Sequence, residues 1–185
     1  MQTVLLVEGD SDRIAVETLA GRRAQDLSGV RIVDLRGVTN ASKAMARFGP
    51  NGLGDRLAGL CDIGEERFFR GGLERAGFGP VPDLAAMESL GFFVCDADLE
   101  DELLRALGED GALRILDQEG DLRAFRLFQN QPFQRDRTIQ QQLHRFIGTT
   151  AGRKAEYARA MVEGLDLGRV PRPLGALLDS VAQAD

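Results

Sequence analysis

The sequence predicts an α/β fold, a mainly parallel sheet flanked by helices, with a helical C-terminal part. Short apolar runs alternate with helix-like segments through the first 120 of the 185 residues, as strand–helix–strand units require. Three of those runs end on an acid, Glu8, Asp62 or Asp96. After residue 120 the pattern turns entirely helical.

Thr3 to Val7 (TVLLV) enters Glu8-Gly9-Asp10-Ser11-Asp12, after which Ile14, Val16 and Leu19 space a helix over Arg13 to Leu19. Strand, acidic turn, helix is the reading. Val30 to Leu35 is a second strand, and Ala41 to Phe48 is a helix stopped by Gly49-Pro50. Leu57 to Cys61 is a third strand ending at Asp62, followed by a helix over Glu65 to Ala76 with Phe68, Phe69 and Leu73 on one face. Gly77 to Pro82 reads as a loop. Gly91 to Cys95 (GFFVC) is a fourth strand, ending in Asp96-Ala97-Asp98 and leading into a helix from Leu99 to Leu107. Arg114-Ile115-Leu116 is a candidate fifth strand. Helices follow over Leu122 to Phe128, Ile139 to Ile147, Lys154 to Leu165 and Leu174 to Val181. The expected division is a core of residues 1–120 with a helical insertion and an extension of residues 121–185 packed on the same domain.

Composition narrows the chemistry. A hydrophobic fraction of 43% with 28% charged residues excludes collagen-like, low-complexity and wholly disordered chains. No apolar run is long enough to span a bilayer, and the start MQTVLLVEGD lacks the basic region and cleavage site of a secretory signal, so a soluble, cytoplasmic protein with no membrane partner is expected. Cys61 and Cys95 make no disulfide framework. His144 is the single histidine, which removes zinc and iron sites built on several imidazoles. Any chemistry must come from carboxylates. There are 29 acids against 23 bases, a net charge of −6, and of the bases only Lys43 and Lys154 are lysines. The charge is segregated: residues 96–119 carry a net −7 and residues 121–160 a net +5.

In an open parallel sheet ligands bind beyond the carboxyl ends of the strands. If the strands ending at Glu8, Asp62 and Asp96 are neighbours, these acids converge on one edge, joined by Asp12 from the next helix. Clustered carboxylates raise one another's pKa unless a cation neutralises them. An all-oxygen set suits Mg²⁺ or Mn²⁺. Each acid also has an ordinary role available: Asp10, Ser11 or Asp12 can cap the first helix, and Asp96 or Asp98 the helix near Leu99. Glu8 gains no capping advantage directly after TVLLV, and Gly9 leaves the backbone beside it open.

The run VLLVEGDSD, a strand ending in Glu-Gly with an Asp four residues after the Glu, resembles the first motif of TOPRIM domains, the metal-binding module of topoisomerases, bacterial primases and several nucleases. Their second motif, Asp-x-Asp at a later strand end, is matched in part by Asp62-Ile63-Gly64, where Gly64 replaces the second acid. The more specific resemblance is to the TOPRIM nucleases of the OLD (overcoming lysogenisation defect) family, through the segment FFVCDADLEDEL and a late helix carrying Gly152-Arg153-Lys154. The resemblance implies two metal ions cleaving a phosphodiester, held by Glu8, Asp12, Asp62 and Glu100, with Lys154 assisting. The acid missing at Gly64 would be supplied by Glu65, Glu66 or Asp98, or one ion would bind weakly. OLD proteins also carry an ATPase, and no Walker loop G-x-x-x-x-G-K-[ST] occurs in this sequence.

The leading expectation is therefore a divalent-metal-dependent endonuclease acting on DNA. Glu8 and Lys154 would be catalytic; Glu8, Asp12, Asp62, Glu100, Asp98 and Glu66 would ligate one or two Mg²⁺ or Mn²⁺ ions. Arg123, Arg126, Arg135, Arg137, Arg145 and Arg153 could track a phosphate backbone, with Arg126, Arg135, Arg137 and Arg153 foremost. His144, Gln140 to Gln142 and Tyr157 read as ordinary helix residues. One alternative is a weak or inactive TOPRIM module that binds nucleic acid or a separate ATPase. Another is a receiver-like protein or phosphatase with Asp62 or Asp96 as nucleophile, although Glu100 stands where such a phosphatase carries threonine.

Overall fold

Four strands form one parallel sheet in the order β2-β1-β3-β4: β1 (Thr3–Val7), β2 (Val30–Asp34), β3 (Arg56–Asp62) and β4 (Phe92–Cys95). The computed structural model describes residues 2–149 and 153–182. In register, Thr3 pairs with Val30 on one side of β1 and with Arg56 on the other, while Asp62 at the end of β3 pairs with Cys95. All five residues of β1 are buried. A strand covered on both faces needs apolar side chains at every position, which is why TVLLV is an unbroken run.

Side chains alternate across the sheet and build two cores. Leu5, Val7, Leu60, Phe93 and Cys95 face the larger one, shared with α1 (Asp10–Arg22), α5 (Leu99–Gln118), α6 (Leu122–Gln129), α7 (Ile139–Thr149), α8 (Lys154–Gly164) and α9 (Arg172–Ala182). Val4, Leu6, Leu57, Cys61 and Phe92 face the smaller one, with α2 (Ala41–Phe48), α3 (Glu66–Leu73) and α4 (Leu84–Ser89). At Gly59 in β3 a Cβ would stand 2.9 Å from the Leu6 carbonyl and 2.9 Å from the Phe92 ring. The bare backbone there lets Phe92 cross the strand. None of the described helices is long and apolar enough to cross a membrane.

Three elements differ from expectation. Residues 114–116 are helical: α5 continues to Gln118 through a kink at Gly108, whose φ is +70°. Ile115 and Leu116 fall four residues after Gly111 and Ala112 on the same buried side, so a three-residue apolar run was a helix face. α4 fell between the expected elements; its signal was Asp83, whose side chain accepts a hydrogen bond from Ala86 N–H at 2.9 Å. The helix after β3 narrows to α3 and then widens into a π-type turn over Glu74–Phe78, where Gly77 takes φ +98°.

Candidate functional site

A parallel sheet sends the carboxyl ends of its strands to one edge, and the acids gather there. Glu8 follows β1, Asp62 ends the adjacent β3, and Asp98 lies three residues past β4. Asp12 comes from the first turn of α1, Glu100 from the first turn of α5, and Lys154 opens α8. Together with Gly9, Asp10 and Ser11 these residues line a cleft of about 480 Å³.

Hydrogen bonds set their orientation. Asp12 Oδ2 accepts the Glu8 and Gly9 N–H groups, both at 3.1 Å. Asp12 thus closes the start of α1 and faces the cleft at once. Asp62 N–H donates to Glu8 Oε1 at 3.3 Å, tying the ends of β1 and β3 together. Glu100 Oε1 accepts from Ser11 Oγ at 3.2 Å and lies 3.5 Å from Lys154 Nζ. Asp98 caps α5 through Asp101 N–H at 2.8 Å and meets His144 Nε2 at 2.7 Å. His144, expected to be an ordinary surface residue, anchors α7 to the cleft rim.

The charges are under strain. Burial, then the adjoining Glu65 carboxyl and the charges of Asp62 and Glu65, push Glu8 up to about 9. Asp62 rises to about 7 through burial and the charges of Asp98 and Asp12, among others. Asp12 rises to about 6 through burial and Glu100, held back by its two backbone donors and Lys154. Burial opposes the Asp98 charge too, but the His144 and Asp101 hydrogen bonds hold its carboxyl below its ordinary value. Burial pushes the Cys61 and Cys95 thiols well up, so neither is a ready nucleophile.

Residues 1–63 match the family model of the overcoming lysogenization defect protein-like TOPRIM domain. Among solved structures it is similar to the C-terminal region of the Xanthomonas campestris pv. campestris OLD protein, with a TM-score of 0.77 and 24% identity over 99% of this chain and 93% of that one. The C-terminal region of the Burkholderia pseudomallei OLD protein gives a TM-score of 0.73 and 20% identity over 98% and 97%. At these identities the shared property is the fold. No curated protein sequence matches the chain.

The cleft has the donor chemistry of a divalent-cation site. Its donors are carboxylate oxygens, they repel one another, and Glu65 Oε2 is buried with no hydrogen-bond partner. Hard oxygen donors in excess of positive charge suit Mg²⁺ or Mn²⁺. Among the described residues, however, no group of three or more His, Cys, Asp or Glu side chains is placed so that it could hold a metal ion as it stands.

Other expected residues lie elsewhere. Glu66 turns to Arg70, 2.9 Å away, and it is Glu65 that adjoins Glu8. The tight 3-10 turn over Ile63–Glu65 decides between them. Asp96 is exposed and pairs with Arg105 outside the cleft. Arg153 is engaged by Asp121, Glu119 and Glu156 and lies over the Tyr157 ring, so its guanidinium holds the start of α8 rather than standing open to a phosphate. Tyr157 is buried and donates to Asp121. Arg126 binds the Gln129 side chain, Arg137 the Phe133 carbonyl at 3.2 Å, and Arg135 is exposed. Gly152 lies outside the described residues.

Proposed function

We propose that this chain hydrolyses nucleic-acid phosphodiesters, DNA foremost, with one or two divalent ions, Mg²⁺ or Mn²⁺, among the cleft carboxylates. The observation that carries the reading is the convergence of Glu8, Asp12, Asp62, Asp98 and Glu100 with Lys154 on one edge of a TOPRIM sheet. A divalent ion bound there supplies Lewis-acid stabilisation of the phosphate and a water of lowered pKa.

The chain's own groups divide the remaining work. Glu8 keeps a proton near neutral pH in the bare cleft and gives it up as positive charge enters; as a carboxylate it takes a proton from the attacking water. Asp12, Asp62 and Glu100 supply oxygen donors, and Glu65 fills the place that Gly64 leaves without an acid. Lys154, more than half exposed on the cleft wall, stabilises negative charge on the phosphate. Arg126, Arg135 and Arg137 supply backbone contacts that position the strand.

Gly64 favours one second reading, a TOPRIM module that binds nucleic acid or an ATPase partner without cutting. An aspartyl-nucleophile reading retains only Asp62, because Asp96 is outside the cleft. The test is supercoiled plasmid incubated with Mg²⁺, Mn²⁺ or Ca²⁺ and wild type, Glu8→Ala or Lys154→Ala. The nuclease reading predicts nicking by wild type with Mg²⁺ or Mn²⁺ and a loss of at least about 100-fold in each variant. Absence of nicking with every metal, or undiminished nicking by Glu8→Ala, refutes it.

A further inference from the structure

On α6, Phe125 is fully buried and Phe128 packs with it and with Phe146, the three ring centroids lying 5.4 to 6.5 Å apart. Helical spacing puts Arg123, Arg126 and Leu127 on the opposite face, and all three are exposed, Leu127 at 63%. The following turn, Pro132–Gln134, holds Phe133 out at 60% exposure, with Arg135 exposed beside it. Residues 122–149 contain five arginines and one acid, Asp136, and among the described residues none of the five arginines is in an ion pair. Elsewhere Arg13, Arg105, Arg153 and Arg172 are paired with carboxylates.

The backbone of the turn that carries the exposed ring is held in place. Buried Gln142 donates to the Gln134 carbonyl at 2.8 Å and the Arg137 carbonyl at 3.2 Å, and accepts from Gln129 at 2.7 Å. Arg137 Nε donates to the Phe133 carbonyl at 3.2 Å. The same helix, α7, reaches the cleft rim through Gln140 to Asp101 at 2.8 Å and His144 to Asp98 at 2.7 Å. α7 thus touches both the turn that carries Phe133 and the rim of the cleft.

We propose that the outer face of α6 and the Phe133 turn form a landing surface for an unpaired nucleic-acid strand, Phe133 stacking on a base while Arg126 and Arg135 meet flanking phosphates. Guanidinium groups outside any ion pair complement a polyanion, and an exposed aromatic ring on an anchored turn in the same stretch offers a stacking face to a base that duplex DNA keeps hidden. The inference deepens the nuclease reading by naming its substrate class, strands with single-stranded stretches, and rests on that reading for the path into the cleft. Binding at the patch itself needs no cleavage.

The test is fluorescence anisotropy of labelled oligothymidylate and of a mixed-sequence duplex with the full chain in EDTA, where nothing is cut. Wild type should bind the single strand roughly tenfold more tightly than the duplex. Phe133→Ala should weaken single-strand binding roughly tenfold and duplex binding little, the range expected when one base stack is removed. Arg126→Gln with Arg135→Gln should weaken both and lower the salt slope on the single strand by about 0.7 for each phosphate no longer neutralised. Equal affinity for both nucleic acids, or a Phe133→Ala variant that binds the single strand like wild type, overturns the proposal. So does failure to bind either while sedimentation shows a dimer that Phe133→Ala dissolves, which makes the face a protein interface. Plasmid nicking reads the cleft independently, so either result can fail alone.

Discussion

Glu8 stands at the end of a strand buried on both faces, and its neighbours are acids. A carboxyl whose pKa is raised on folding binds its proton more tightly in the folded state, so stability is greatest below the ordinary carboxyl range and falls as pH rises through the raised values. For Glu8, Asp62 and Asp12 that window runs up to about 9, 7 and 6. In the absence of divalent metal, the thermal midpoint should fall between pH 5 and pH 9 by calorimetry. Glu8→Gln should flatten that fall and melt higher than wild type near pH 8 without metal; a variant that melts lower contradicts the assigned repulsion. Glu8 was legible because an acid directly after TVLLV gains nothing as a cap. The choice between Glu65 and Glu66 was not, because it depends on how tightly the backbone winds over Ile63–Glu65. Gly64 is testable in the same way: its Cβ direction meets no atom within 4 Å. Gly64→Asp should fold normally and tighten Mn²⁺ binding, and a variant that binds Mn²⁺ no better than wild type would remove the idea that an acid is missing there.

At the scale of elements, α8 delivers Lys154 and is itself held at its start by Arg153. The guanidinium joins Asp121 and Glu119 at the α5–α6 junction to Glu156 on α8. Arg153→Ala leaves those acids without their cation and should cost about 1–3 kcal/mol in urea unfolding. Affinity for oligonucleotides should change far less than with Arg126→Gln; a large drop in affinity at unchanged stability would return Arg153 to phosphate binding. Sequence alone does not separate a basic residue that meets DNA from one that meets acids thirty residues away in the chain. The four strands were legible because burial on both faces demands continuous apolar runs, and the helices because their apolar residues recur at helical spacing. Residues 114–116 were not, since three apolar residues fit a strand and one turn of α5 equally well.

Across the whole molecule, the order β2-β1-β3-β4 does two things: it makes β1 and β3 neighbours, bringing Glu8 to Asp62, and it divides the core into two faces. The sheet has little room at Gly59. Gly59→Ala should destabilise by about 1–3 kcal/mol, because both the Leu6 carbonyl and the Phe92 ring must give way; denaturant unfolding at unchanged stability would show that the sheet yields more easily than its packing implies. The net charge of −6 now has an address as well, since much of the acid surplus lines one cleft beside a basic helical flank. The claim that this cleft is a divalent-metal site is tested most directly by titrating Mn²⁺ into the metal-free chain at pH 7 by calorimetry in buffers of different ionisation heat. Wild type should bind and release about one to two protons per chain, because Glu8 and Asp62 must deprotonate to ligate, and Glu8→Gln should bind more weakly and release fewer. Binding without proton release, or a Glu8→Gln variant that matches wild type, would contradict the account.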